Sequence, residues 1–148
     1  MRLVIQRVKY AKVAVKDAVC GAINKGMLVF LGVEKGDSEK DADFLATKIA
    51  ELRIFEDGQG KMNLSAKEAG AGFLVVSQFT LVGDCSKGRR PSFDKAAEPK
   101  IAETLYDYFV EQLKALQFKV ETGKFAAMMD VELLNDGPVT FILDSDKR

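Results

Sequence analysis

Three short segments carry the residue types that could do chemistry. The first is Ser77-Gln78-Phe79-Thr80-Leu81, directly after the apolar run Phe73-Leu74-Val75-Val76. That run is apolar on both faces and must enter a core. Its C-terminal end therefore brings two hydroxyls and one amide to a rim where α/β sheets favour ligands. The same side chains equally serve to cap a strand end. The second segment is Asn135-Asp136-Gly137-Pro138-Val139-Thr140. Asn, Asp, Gly and Pro are the residues of a turn between two strands. Gly137 would also let the backbone approach a ligand closely, and Pro138 would fix φ. The third is Ser86-Lys87-Gly88-Arg89-Arg90-Pro91, with positive charges at Lys87, Arg89 and Arg90. Such a loop is either a solvated surface or a phosphate-contacting patch.

What is missing narrows the chemistry further. The chain has no His, so Ser-His-Asp and Cys-His nucleophile systems are excluded, as is His-ligated zinc. Two cysteines cannot build a four-thiolate zinc site. Cys20 reads as a small buried residue and Cys85 as a loop residue. The acidic residues show no spacing of a general acid and base. An enzyme with this sequence works with hydroxyls, backbone dipoles, lysine, carboxylates or the substrate's own groups. No metal and no cofactor are expected. Lys+Arg and Asp+Glu are both 22, so the net charge is zero, against a generally basic nucleic-acid coat but compatible with a local basic patch.

The elements that must position these segments follow from periodicity. The 148 residues, 47% hydrophobic and 30% charged, read as one globular domain over 1–148. No linker or repeat divides it. The pattern predicts strands at 2–9, 12–16, 18–23, 27–33, 72–76, 117–122, 125–134 and 138–143. A helix opens at Ser38, with Asp41 completing the cap, and buries Ala42, Leu45, Ile49 and Leu52. Asp57-Gly58-Gln59-Gly60 is a turn and 83–93 a loop. A second helix starts at Pro99 and buries Ile101, Leu105, Tyr108 or Phe109, and Leu113. Two helices cannot cover both faces of so many strands. The expected architecture is a layered α/β structure with part of the sheet curled or paired on itself. The N-terminus lacks the apolar region of a signal peptide, and no segment has the ~20 apolar residues of a membrane span. A soluble, cytoplasmic protein is expected.

Taken together the segments resemble a known family. Ser77-Gln78-Phe79-Thr80-Leu81 followed by Gly137-Pro138-Val139-Thr140 is similar to the D-aminoacyl-tRNA deacylases. So are Gly83-Asp84 with Lys87-Gly88-Arg89-Arg90-Pro91-Ser92-Phe93, and the opening Gln6-Arg7-Val8 with Ala11 and Val13-Ala14-Val15. The likeness runs the whole length. It implies a three-layer α/β/β fold with a mixed, partly curled sheet and two main helices, in a homodimer that hydrolyses the ester joining a D-amino acid to the 3′ end of tRNA and also clears mischarged glycine. It implies that Gly137-Pro138 is a cis peptide reaching into the partner's pocket, held in place by Arg7. Its carbonyls would hold the α-amino group and leave no room for an L side chain. Ser77, Gln78, Phe79 and Thr80 would line that pocket, with Lys87, Arg89, Arg90 and Phe125 as tRNA contacts.

Physical chemistry adds a mechanism to that resemblance. An aminoacyl ester is already activated, so geometry and backbone oxyanion donors at Phe79 and Thr80 suffice. Thr80 is a weak nucleophile without a base, and the terminal 2′-OH of the RNA is the expected assistant. Two rival readings stand beside this one. One is a non-catalytic dimeric nucleic-acid-binding module using the basic loop Lys87–Arg90. The other is a hydrolase of free small esters or peptides acting through Thr80.

Overall fold

The first strand sets the architecture because it pairs along both edges. The computed structural model describes residues 1–147. In chain order the elements are β1 (Arg2–Val15), β2 (Ala18–Ile23), β3 (Gly26–Gly32), α1 (Glu39–Glu51), β4 (Phe55–Glu56), β5 (Met62–Leu64), β6 (Gly72–Ser77), a 3-10 helix (Phe79–Val82), α2 (Pro99–Ala115), β7 (Val120–Thr122) and β8 (Asp130–Asp144). One edge of β1 pairs first with β3 (Arg2–Val8) and then with β2 (Ala11–Val15); β8 pairs antiparallel along β1 from Arg2 to Ala14. β3–β6 and β6–β7 are parallel, which makes the sheet mixed, in the order β2-β1-β3-β6-β7.

The expected strands 2–9 and 12–16 are one strand. Leu3 and Ile5 face the helices, whereas Val8, Ala11 and Val13 join a second core. The inward parity changes between Val8 and Ala11, where Lys9 and Tyr10 are both exposed and the β1–β8 register shifts. A bend of this kind breaks a strict two-residue alternation and reads as a gap.

The continuous apolar runs of β3 and β6 are explained by burial on both faces. Met27, Val29, Leu31, Phe73 and Val75 pack with α1 and α2 through Leu45, Ile49, Leu105, Phe109 and Leu113. Leu28, Leu74 and Val76 face the other way, against Val8, Ala11, Val13 and Ile23. The sheet therefore curls, its second face packing on its own returning strands.

Both helices begin where the sequence places them. Ser38 N–H donates to Asp41 Oδ2 at 2.9 Å, and Pro99 opens α2. Leu52 lies just past the end of α1, partly buried against the core. The buried stripe of α2 is Leu105, Tyr106, Phe109, Val110 and Leu113. Ile101 is 54% exposed, contrary to expectation. Ala102, at helical spacing from Tyr106, Phe109 and Leu113, occupies the stripe instead. Phe109 rather than Tyr108 is buried; the Tyr108 hydroxyl donates to Asp43 at 2.9 Å on the surface.

Three further expectations are corrected. Cys20 is exposed, because it lies on the outward face of β2. Residues 125–129 are not a strand: 125–127 turn, and 128–129 lead into β8. Residues 130–144 form one strand, so Asn135–Pro138 is a bulge inside β8 and not a turn between two strands. The short hairpin β4–β5, closed by the Asp57–Gly60 turn, is an addition. Among the described residues no helix is long and apolar enough to cross a membrane.

Candidate active site

β6 leads out of the core and stops at Ser77, where the chain turns at once into the 3-10 helix. Gln78 N–H donates to the Leu31 carbonyl at 2.7 Å, which pins the turn to the end of β3. The Gln78 side-chain amide donates to the Thr80 hydroxyl. Phe79 and Thr80 are the first residues of the 3-10 helix. The leading amides of a helix have no intrahelical acceptor, so these N–H groups are oriented donors.

Ser77, Gln78, Phe79 and Thr80 line a cavity of about 650 Å³. Phe125 and its turn form another wall, and α2 closes the cavity with Ala102 and Tyr106. In that turn Ala127 N–H donates to Lys124 O at 3.2 Å, and Ala126 has a φ of 58°. The Tyr106 ring lies 5.9 Å from that of Phe125, and its buried hydroxyl donates to the Val75 carbonyl at 2.8 Å. Burial pushes this phenol well above its ordinary pKa, so it remains a neutral donor. Tyr106 thus ties α2 to β6 two residues before Ser77. It and Met129 are cavity residues that sequence reasoning missed. Tyr106 sits on the apolar stripe of α2, where an aromatic reads as core.

A second constellation lies on β8. Arg7 is 3% exposed. Its Nε donates to the Asp136 carbonyl at 2.8 Å and its Nη1 to the Ile54 carbonyl at 2.7 Å. Asn135 brackets the same segment: its Oδ1 accepts from Val139 N–H at 2.7 Å and its Nδ2 donates to Val139 O at 3.2 Å. Between them Gly137 has a φ of 144°, and the Gly137–Pro138 peptide is cis. Both residues are exposed and neither lines the cavity of its own chain.

The basic loop is the third group. Asp84 and Ser92 exchange both backbone hydrogen bonds, at 2.8 and 2.9 Å, and close the loop at its base. Lys87, Arg89 and Arg90 at its tip are exposed. Just after the loop, the Phe93 ring packs at 4.9 Å on that of Phe79. Within one chain, then, Ser77–Thr80 and Phe125 share a cavity, Arg7 joins Gly137–Pro138, and the basic tip stands apart. Among the described residues no group of three or more His, Cys, Asp or Glu is placed to hold a metal ion.

Comparison with known proteins agrees along the whole chain. The family model described as D-Tyr-tRNA(Tyr) deacylase matches residues 4–144. A protein of Desulfatibacillum aliphaticivorans named D-aminoacyl-tRNA deacylase is 61% identical over 145 residues, covering 98% of this chain and 99% of its own. One of the same name from Thermotoga petrophila is 58% identical over 147 residues, covering 99% of each. Among solved structures, a c-Myc DNA unwinding element binding protein superposes with a TM-score of 0.91 at 39% identity, covering 97% of this chain and 98% of that one. A probable eukaryotic D-amino acid tRNA deacylase shares the fold, with a TM-score of 0.81 at 16% identity, covering 96% and 97%. With a family model spanning nearly all of it and relatives this similar from end to end, the chain belongs to the D-Tyr-tRNA(Tyr) deacylase family.

Proposed function

We propose that this protein hydrolyses the ester of D-aminoacyl-tRNA, releasing the D-amino acid and leaving a free 3′-hydroxyl on the tRNA. The observation that carries the reading is a complementarity. The cavity is lined by the amide- and hydroxyl-bearing segment Ser77–Thr80, whereas Gly137–Pro138 is an exposed bulge, braced by Arg7 through Asp136, that lines no part of its own chain's cavity. Two copies of the chain, each lending its bulge to the other's cavity, complete the site. β8 supports such pairing. Among the described residues its outer edge has no strand partner, and it exposes Leu134, Phe141 and Ile142.

The chemistry suits a chain without imidazole. Water attacks the ester carbonyl, and the oxyanion is held by the Phe79 and Thr80 amides. Each such donor contributes about 3–4 kcal/mol of barrier lowering. The 2′-OH of the terminal ribose orients the attacking water, and the 3′ oxygen leaves with a proton. Thr80 is not the nucleophile: no His exists to activate it, and its hydroxyl accepts from Gln78.

Stereoselection follows from main-chain atoms that tolerate only hydrogen on one side of Cα. Glycine has hydrogen on both sides, so glycyl-tRNA is also a substrate. A protein with this substrate works in the cytoplasm, where tRNA is charged, and needs no cofactor.

The test is release of tyrosine from D-Tyr-tRNA and L-Tyr-tRNA. The D ester is expected to be cleaved and the L ester spared. Thr80→Ala should keep substantial turnover, while D-Tyr-tRNA ending in 2′-deoxyadenosine should be poor. The opposite pair of results would make Thr80 the nucleophile.

A second reading has one observation in its favour, the 39%-identical solved structure of a protein named for binding a DNA unwinding element. In that reading the chain is a non-catalytic dimeric nucleic-acid-binding module acting through Lys87, Arg89 and Arg90. Its zero net charge provides little nonspecific field. A sample that binds nucleic acid but leaves D-Tyr-tRNA intact would select it.

A further inference from the structure

We propose that Phe93 is a positioning residue that holds the basic loop and the Phe79–Val82 turn as one body. Phe79 and Phe93 are 58% and 38% exposed, yet their rings pack on each other at 4.9 Å with a 59° tilt. This geometry is a favourable aromatic pair. The Phe93 ring also covers Gly83, the residue that ends the 3-10 helix. A Cβ on Gly83 would stand 3.0 Å from Phe93 Cε1 and 3.0 Å from the Thr80 carbonyl oxygen, so any side chain there would push the ring back by a few tenths of an ångström.

Phe93 is itself fixed on both sides. The preceding residue, Ser92, exchanges two backbone hydrogen bonds with Asp84. The following segment is pinned to the end of β3 by Ala97 N–H to Val33 O at 3.1 Å and Lys35 N–H to Lys95 O at 2.8 Å. The ring therefore stands between an anchored segment and the exposed start of a short 3-10 turn, whose other anchors are Gln78 N–H on the Leu31 carbonyl, Arg2 Nη1 on the Leu81 carbonyl and the buried Val82. Removing it frees Phe79, and with it the amides at the start of the turn. A displacement near 1 Å costs up to about a hundredfold in rate.

This role rests on the deacylase reading for its effect on turnover, so the experiment has an arm that does not. Full-length Phe93→Ala, Phe93→Leu and Phe93→Tyr are compared with wild type. The substrates are D-Tyr-tRNA and 3′-O-(D-tyrosyl)adenosine, the latter carrying no phosphate for the basic loop to contact. Phe93→Ala and Phe93→Leu should lower kcat on both about tenfold, with KM for the adenosine ester changed little. Phe93→Tyr, which keeps the ring, should restore kcat. In parallel, trypsin should cut after Lys87 and Arg89 about tenfold faster in Phe93→Ala at an unchanged unfolding midpoint. Wild-type kcat in Phe93→Ala and Phe93→Leu, or a Phe93→Tyr variant as slow as Phe93→Ala, would overturn the proposal. If wild type cleaves neither ester the deacylase reading falls, and the tryptic rate alone decides for or against Phe93.

Discussion

The Arg7 guanidinium donates to the Asp136 carbonyl oxygen at 2.8 Å and takes the place of a strand partner that β8 has lost there. Gln6 pairs with Thr140 and Val8 with Asn135, so residues 136, 137, 138 and 139 face Arg7 alone. Backbone groups in such a bulge need other partners. Arg7 supplies one and Asn135 two, while Nη1 of Arg7 anchors the assembly to the Ile54 carbonyl at 2.7 Å.

Arg7→Lys should therefore fail as a conservative change. A single ammonium cannot reproduce the fork that serves the Asp136 and Ile54 carbonyls together. A carbonyl left unpaired beside a buried side chain costs about 1–3 kcal/mol. The urea midpoint should fall accordingly, and D-Tyr-tRNA hydrolysis should drop about tenfold or more as the bulge loses its support. A variant with the wild-type midpoint and rate would remove Arg7 from the site.

Gly137→Ala tests the shape of the bulge itself. At a φ of 144° an L side chain is strained by about 1–3 kcal/mol. The new Cβ would also stand 2.7 Å from Val139 Cγ2 and 3.3 Å from Arg7 Nη2. Gly137 is exposed, so the chain should still fold while the wall shifts. The expected result is a smaller ratio of D-Tyr-tRNA to L-Tyr-tRNA hydrolysis, read from parallel time courses. An unchanged ratio would mean that the wall is not at Gly137.

Legibility in the sequence followed how local each signal was. Phe73–Val76 reads as a buried strand because both faces are apolar, and Ser77–Thr80 then has to emerge at its end, where the cavity is. The continuity of β8 was hidden because Asn135, Asp136, Gly137 and Pro138 suit a turn as well as a bulge. Only pairing with β1 tells them apart, and pairing partners lie more than a hundred residues away. Ile101 reads as buried because a helical stripe drifts, and one position decides between it and Ala102. The outward face of Cys20 depends on which side of β2 meets the core. Tyr106 is hidden for the opposite reason: it sits on the buried stripe of α2 and lines the cavity as well. The grouping of Gly137–Pro138 with the cavity rests on the family resemblance, since neither residue lines the cavity of its own chain.

The basic loop predicts a salt dependence. Lys87, Arg89 and Arg90 are exposed, and none makes an ion pair within 4.0 Å among the described residues. They remain available to phosphates. Each phosphate contact removed should flatten the slope of log affinity against log salt by about 0.7–0.9. Arg89→Ala should show one such decrement for D-Tyr-tRNA binding between about 50 and 200 mM NaCl. A slope equal to wild type would assign the loop to solvent.

The last prediction concerns acid. Arg2 Nε lies 2.6 Å from Asp144 Oδ1, joining the start of β1 to the end of β8, and Arg2 Nη1 continues to the Leu81 carbonyl at 3.0 Å. The Arg2 hydrogen bond, then its charge, hold the Asp144 carboxyl below its ordinary pKa against the opposing effect of burial. A carboxyl depressed in the folded state contributes stability above its unfolded pKa of about 3.9, and that contribution is lost as the pH falls through the lower folded value. Because Arg2 is partly open to solvent, the contribution is modest. Asp144→Asn should unfold more readily than wild type at about pH 7, and the difference should close as the pH is lowered towards about 3. A gap that persists unchanged across that range would show that Asp144 acts through packing rather than through its charge.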